Sequence, residues 1–385
     1  MRLRSERIVT PGGTVAGEVE IAGGRIAAVQ APPARTSRSE VVDLGARWLV
    51  PGLIDLHVHG GGGTQCNTAD RDEIAAVARF HARHGVTALL ATTVAAPPGE
   101  LAAALDAVRG AMDDGTGGAA VLGAHLEGPF ISPAAPGAMD PSAFLAPDAE
   151  ILRSFVLGGG GCLALMTVAP ELPGATGLIA ELVQAGVVVS LGHTVASYDE
   201  AVAAVTAGAR CATHLFNAMS PFHHRAPGVA GAALEASEVS CELICDGIHV
   251  DPVAMRIAHR LKGPAGLHLV SDATAAAGMP DGRYRLGAEV VELAGGRATL
   301  PGTDTLAGST LTLDAAVANA VRFLGVGVGE AVALASANPA RLLGLEDRKG
   351  AIAPGYDADL AVLDDELNAC GTIVAGAWVD GPPQP

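Results

Sequence analysis

Lysine is nearly absent from this chain. Lys262 and Lys349 are the only two among 385 residues, and with arginine they make 24 basic groups against 41 acidic ones. The formal net charge is −17, a surface that gains nothing electrostatically from nucleic acid or an anionic membrane, so neither is expected as a partner. An anionic small molecule would need a local basic pocket. Long apolar runs are missing too: none reaches the ~18 residues of a membrane helix, and the nearest, Phe155–Pro170, is broken by four glycines. The N-terminus, MRLRSERIVT, lacks the apolar stretch of a signal peptide, and a cytoplasmic protein is expected. None of the six cysteines stands in a C-x-x-C pair. Four of them lie in or beside apolar runs as small hydrophobes, so no disulfide is expected.

What is present is apolar and periodic. Hydrophobic residues make up 49% of the chain, enough for a large core, and the length suits one large α/β barrel or two to three average domains. Short β-like pieces come first: Arg7–Thr10, Gly17–Ile21, Arg25–Gln30 and Val41–Leu44. Gly23-Gly24 marks a hairpin between two of them, and residues 31–40, rich in Pro, Ser and Arg, read as a surface loop. From Trp48 apolar runs alternate with helical patterns. Eight strands are expected, at Leu49–Leu56, Val86–Thr92, Ala120–Leu126, Leu163–Val168, Val187–Leu191, Ala212–Leu215, Ser240–Cys245 and Leu267–Ser271. Helical stretches lie between them, and an eighth, Thr310–Leu324, follows an insertion at Gly278–Pro301 that reads as a hairpin or loop. That count is the count of a (β/α)8 barrel. After Asn338-Pro339 the pattern returns to β at Gly350–Ile352, Asp359–Leu363, Gly371–Ala375 and Ala377–Val379, so the two ends of the chain are expected to pair in one small β-domain.

In such a barrel the C-terminal strand tips carry the site. Here they carry His57 and His59, Glu127, His193, His214, His249 and Asp272. His57 and His59 are two apart, so on a strand both side chains face one side and can share an ion. Glu127, followed by Gly128-Pro129, is a carboxylate costly to bury without a cation. Imidazole with carboxylate suits zinc, iron or manganese. A carbamylated lysine, the bridging ligand of some binuclear barrels, is excluded because neither lysine lies at a strand tip. His81, His84 and His259 are assigned to helix surfaces or packing, and His125 and His268, one step below their tips, to supporting roles. Gly60–Gly63 lacks the Lys-Ser/Thr of a phosphate loop.

The motifs PGLIDLHVHG (51–60), HLEGPF (125–130), GHT (192–194), THLFNAM (213–219), DGIHV (246–250), SDAT (271–274) and GYDADLAVLD (355–364) resemble those of the amidohydrolase superfamily, and within it the N-acetylglucosamine-6-phosphate deacetylase family. The resemblance implies a metal-dependent (β/α)8 barrel over residues 51–344 and a small β-sandwich from residues 1–50 and 345–385. It implies a principal metal site of Glu127, His193 and His214, a second at His57 and His59, and Asp272 as catalytic acid/base. The ion, or two ions, would be divalent, zinc first, with iron, manganese or cobalt as alternatives. A metal-held hydroxide would attack the acetamide, and Asp272 would take the water's proton and pass it to the leaving nitrogen. His249, Asn217 and Ala218 would bind the amino-sugar phosphate, and Arg225 would reach the phosphate from the neighbouring subunit of a homodimer.

The chain departs from the family pattern in the loop after Glu127. SPAAPGAMD places Met139 where the family has a histidine that polarises the substrate carbonyl, and a thioether cannot donate a hydrogen bond. Three outcomes are open: the same deacetylation with weaker carbonyl activation, action on a related N-acyl amino sugar such as N-acetylgalactosamine-6-phosphate or an unphosphorylated sugar, or a low-activity sugar-phosphate-binding homologue. A sensor on this fold would be expected to have lost the acid/base residue or a ligand, and all are present. A deaminase or dihydropyrimidinase-like enzyme would be expected to keep a strand-4 lysine or a different strand-5 pattern, and THLFNAM argues against it.

Overall fold

A computed structural model describes residues 1–31 and 41–383. The expected loop at 31–40 falls, but for its first residue, outside them. The central architecture is a parallel sheet of eight strands: β1 (Leu53–Val58), β2 (Val86–Thr93), β3 (Ala120–Glu127), β4 (Leu163–Val168), β5 (Val188–Leu191), β6 (Cys211–Ala212), β7 (Ser240–Ile244) and β8 (Leu267–Val270). Neighbours in sequence are neighbours in the sheet. A parallel bridge from Val58 to Ala273 closes the ring between β1 and the segment after β8. Strands covered on both faces need continuous apolar runs rather than alternation. β2, VTALLATT, is buried at every position.

The connecting helices are α1 (Arg71–Ala82), α2 (Pro98–Asp114), α3 (Ala149–Gly158), α4 (Ala175–Gln184), α5 (Tyr198–Ala207), α6 (Gly228–Glu235), α7 (Pro252–Lys262) and α8 (Leu313–Leu324). Local chemistry starts several of them. The side chains of Asp70, Asp148 and Asp251 accept from the first turns of α1, α3 and α7, and Ser197 with Glu200 forms a reciprocal capping box on α5. No helix among the described residues is long and apolar enough to cross a membrane.

Both chain ends meet in one further sheet. Its order runs Ala377–Trp378, Ala369–Val374, Leu360–Leu363, Trp48–Pro51, Arg2–Thr10, Gly13–Ala22, Arg25–Gln30, with Val41–Asp43 beside Arg2–Thr10. Leu3, Ile8, Val19, Ile26, Leu49, Leu360 and Ile373 gather in its own core. Gly23 and Gly24, at φ 58° and 74°, turn the hairpin between Gly13–Ala22 and Arg25–Gln30.

Four expectations change. The run Leu49–Leu56 is two strands: Trp48–Pro51 joins the end sheet, and Leu53–Val58 is β1. Gly52 makes the break. A β-carbon there would lie 2.2 Å from the Thr87 hydroxyl oxygen, and its amide donates to the Asp359 carbonyl at 2.8 Å. Gly350–Ile352 forms bends instead of a strand, although Ile352 is buried in the end-sheet core. β6 ends at Ala212, because His214 takes φ 28° and leaves the extended region. The insertion is a three-stranded antiparallel sheet, Gly282–Leu286, Glu289–Ala294 and Arg297–Thr299. Its Leu286, Val291 and Ala298 pack on Val94, Ile131, Met139 and Ala307 at the barrel mouth.

Candidate metal centre

Six of the expected residues converge at the strand tips. His57 and His59 close β1, Glu127 ends β3, and His193, His214 and Asp272 follow β5, β6 and β8. All six are buried. Three of the imidazoles are oriented by groups that can only accept. His57 Nδ1 donates to Glu242 Oε2 at 2.8 Å, His59 Nδ1 to the Thr92 carbonyl at 3.2 Å, and His193 Nδ1 to the Ala135 carbonyl at 3.0 Å. In the neutral ring the proton is therefore on Nδ1, and the Nε2 lone pair faces inward.

Those lone pairs crowd together. His57 Nε2 and His59 Nε2 are 3.0 Å apart, and His193 Nε2 and His214 Nε2 are 3.1 Å apart. Glu127 Oε1 lies 2.9 Å from His214 Nε2, 3.1 Å from His193 Nε2 and 3.5 Å from His57 Nε2, while Oε2 is 3.3 Å from His59 Nε2. Asp272 Oδ1 is 3.2 Å from His59 Nε2 and 3.4 Å from His57 Nε2. Acceptors at such separations repel unless positive charge lies among them. Ligands about 2.1 Å from a tetrahedral ion stand roughly 3.4 Å apart. The donor set therefore fits a divalent cation, as two groups, Glu127–His193–His214 and His57–His59–Asp272, with Glu127 reaching both.

The titration tendencies express the same demand. Burial pushes Glu127 up, yet His193 and His57 hold it well below the usual carboxylate range. Burial likewise opposes ionisation of Asp272, and His57 and His59 bring it down to about 2. Burial alone would lower His57; Glu242, Glu127 and Asp272 raise it well above its ordinary value. The backbone carries strain at the same place. Of the seven non-glycine residues with positive φ among the described residues, His193, His214, Phe216, Ala218 and Asp272 are at the barrel mouth.

A pocket of about 310 Å³ opens above these groups and is lined also by Asn217, Ala218, His249, Met139 and Leu286. Asn217 Nδ2 donates to the His214 carbonyl at 3.1 Å, and His249 Nδ1 donates to Asp246 Oδ2 at 2.6 Å. Arg225 does not line the pocket. It is exposed, with Nη1 donating to His224 Nε2 at 2.8 Å. Of the other histidines, His81 is fully buried and its Nε2 donates to the Gly60 carbonyl at 2.9 Å. His125 sits between Thr92 and Thr167, and burial takes it down to about 3.

Two buried acids were not singled out from the sequence. Glu242, in the middle of β7, accepts from His57 and from the His214 amide (3.0 Å), so one carboxylate steadies a residue of each group. Burial pushes Glu242 up, but His57 brings it down to about 2. The signal was a lone carboxylate inside a strand, SCELI, that has no solvent face. Asp55 accepts from the Ser271 and His57 amides at 3.2 and 3.3 Å, and burial pushes it up to about 7.

Residues 48–383 match the model of the amidohydrolase family, and residues 3–46 match an allantoinase composite domain. An N-acetylglucosamine-6-phosphate deacetylase of Danio rerio is 41% identical over 356 residues, which are 88% of this chain and 86% of that protein. An N-acetylgalactosamine-6-phosphate deacetylase of Escherichia coli is 38% identical over 380 residues, 98% of each. Among solved structures, a variant N-acetyl-D-glucosamine-6-phosphate deacetylase of Mycobacterium smegmatis, in complex with N-acetyl-D-glucosamine-6-phosphate, superposes with a TM-score of 0.93 at 40% identity. That superposition covers 98% of this chain and 99% of the other.

Proposed function

Because the chain belongs to the amidohydrolase family, and within it to the N-acetylglucosamine-6-phosphate deacetylases, we propose that it hydrolyses N-acetylglucosamine-6-phosphate to glucosamine-6-phosphate and acetate. The observation that carries this reading is the inward-facing cage of Glu127, His57, His59, His193 and His214 beside the ionised Asp272. When bound, a divalent ion supplies Lewis acidity to an amide carbonyl and lowers the pKa of water toward neutrality. Zinc is the first assignment, with iron, manganese or cobalt as alternatives, in one position or both.

The chain's own residues do the rest. Asp272, held as carboxylate, takes a proton from the attacking water and gives it to the amide nitrogen as the C–N bond breaks. Its burial favours the protonated form it must pass through. Glu127 holds negative charge between the two imidazole pairs. Asn217, Ala218 and His249 take the sugar phosphate on the β6–β7 side of the pocket. Arg225 binds the phosphate of a partner subunit in a homodimer. An apolar groove of about 550 Å³ beside α6 and α7, with Phe222 and Leu261 58% and 62% exposed, supports a second copy docking next to that segment. The same reading takes the protein as cytoplasmic, with residues 51–344 as catalytic domain and 1–50 with 345–385 as the small β-sandwich domain.

One observation favours a second substrate: the 38% identical relative named for N-acetylgalactosamine-6-phosphate spans 98% of this chain, against 97% for an N-acetylglucosamine-6-phosphate deacetylase of Bos taurus. The test is acetate release from both sugar phosphates and from unphosphorylated N-acetylglucosamine by metal-loaded protein. Turnover of N-acetylglucosamine-6-phosphate is expected to exceed the others. No turnover of any of them would overturn the deacetylase assignment.

A further inference from the structure

Val94, Met139 and Leu286 line two chambers at once. In front of them is the pocket of about 310 Å³ over the metal ligands; behind them is a second space of about 320 Å³ that also reaches Ala143. These three side chains are buried and belong to one apolar cluster. They are the partition between the two spaces.

Barrel order says what this wall faces. In a ring of eight strands in sequence order, β2 and β3 lie across from β6 and β7. Val94 follows β2, and Met139 is in the loop after β3; Asn217 and Ala218 follow β6, and His249 follows β7. The cage lies between these two sides. A secondary amide is planar and trans, so its nitrogen substituent and its acyl substituent point in opposite directions. With the sugar on the polar β6–β7 side, the acyl group points at the apolar wall. Met139 is also the most movable part of that wall. Its stem has three rotatable bonds, and its sulfur accepts one weak contact, from the Ala95 amide at 3.4 Å.

We propose that Val94, Met139 and Leu286 form a yielding acyl gate, and that the enzyme removes N-propanoyl and N-butanoyl groups as well as acetyl from amino-sugar phosphates. The inference rests on the deacetylase reading and names its acyl range. Water's oxygen bonds to the acyl carbon, the C–N bond breaks, and the nitrogen leaves as the free amine with a proton from water. The products are the amino-sugar phosphate and the short carboxylic acid.

The experiment compares kcat/KM for N-acetyl-, N-propanoyl- and N-butanoyl-glucosamine-6-phosphate on the full-length, metal-loaded enzyme. A closed apolar pocket penalises one surplus methylene by about 10–200-fold. The expected result is an N-butanoyl value within about tenfold of N-acetyl, a smaller loss than one such penalty. Ala143→Phe, which fills only the rear chamber, is expected to lower the butanoyl-to-acetyl ratio by at least tenfold, and Met139→Ala to raise it. Good N-acetyl turnover with an N-butanoyl value more than a hundredfold lower would overturn the gate and leave the deacetylase reading standing. A ratio that neither variant moves would also overturn it. Absence of N-acetyl turnover would instead remove the reading on which the gate rests.

Discussion

At the scale of single residues, the site is organised by what holds the back of each ring. His57, His59 and His193 each give Nδ1–H to an acceptor, which commits Nε2 to the interior before any ion arrives. Glu242 does this for His57 and also caps the His214 amide, so its effect extends to both candidate groups. Glu242→Gln is expected to lower metal affinity about 10–100-fold, as outer partners of ligating histidines do elsewhere. Competition against a chelator, followed by metal analysis, reads this without reference to turnover; an unchanged affinity would rule the role out. Asp272→Asn keeps the shape and removes the base, so kcat should fall by about 10²–10⁴ with KM little changed. The six residues that converge were legible in the sequence as candidates because each stands at a strand tip inside a compact motif. Glu242 was not, because its meaning comes from two residues on other strands, and a strand written SCELI shows only that one acid is out of place.

At the scale of elements, breaks matter as much as runs. Leu49 to Leu56 reads as one apolar strand, and nothing in its hydropathy marks Gly52 as the point where the chain passes from one sheet to the other. The reason is spatial. Thr87 of β2 occupies the volume a side chain would need, with hydroxyl and methyl atoms 2.2 and 2.3 Å from the position of a β-carbon. Thr87 is buried and β-branched, so it cannot swing away. Gly52→Ala should therefore destabilise the protein by about 1–3 kcal/mol, seen as a lower urea midpoint; a midpoint equal to wild type would mean the backbone relaxes around the methyl. The insertion shows the complementary case. Gly278–Pro301 was expected as a hairpin or loop, and its third strand forms because the apolar face of the first two has Val94, Ile131 and Met139 to cover. That sheet thereby builds one wall of the pocket.

At the scale of the whole molecule, the barrel and the end sheet are tied by buried polar contacts as well as by packing. Asp314 in α8 accepts from the Ala369 amide of the end sheet at 3.1 Å and from His84 Nδ1 at 3.3 Å. Burial opposes its ionisation, but the His84 hydrogen bond and charge hold its carboxyl below the usual value. A carboxylate with a depressed folded-state pKa stabilises the fold above its unfolded pKa and loses that contribution as the pH falls through the folded value. Asp314→Asn should thus cost about 1–2 kcal/mol near neutral pH. The gap from wild type should close below about pH 4, where the reference carboxyl begins to protonate. Thermal melts of both proteins from pH 7 down to pH 3 would show it, and a gap constant across that range would contradict it.

The sequence by itself determined the number and order of the barrel strands, the meeting of the two chain ends and the identity of the tip residues. Hydrophobic period and turn residues act locally, and a parallel barrel simply adds its units in chain order. Only the tertiary structure decided that Glu127 spans both histidine pairs, that Glu242 supports them from below, and that Met139 belongs to an apolar wall shared with the insertion. Each of those facts is a distance between residues far apart in the chain, set by how the ring closes and by what fills its mouth.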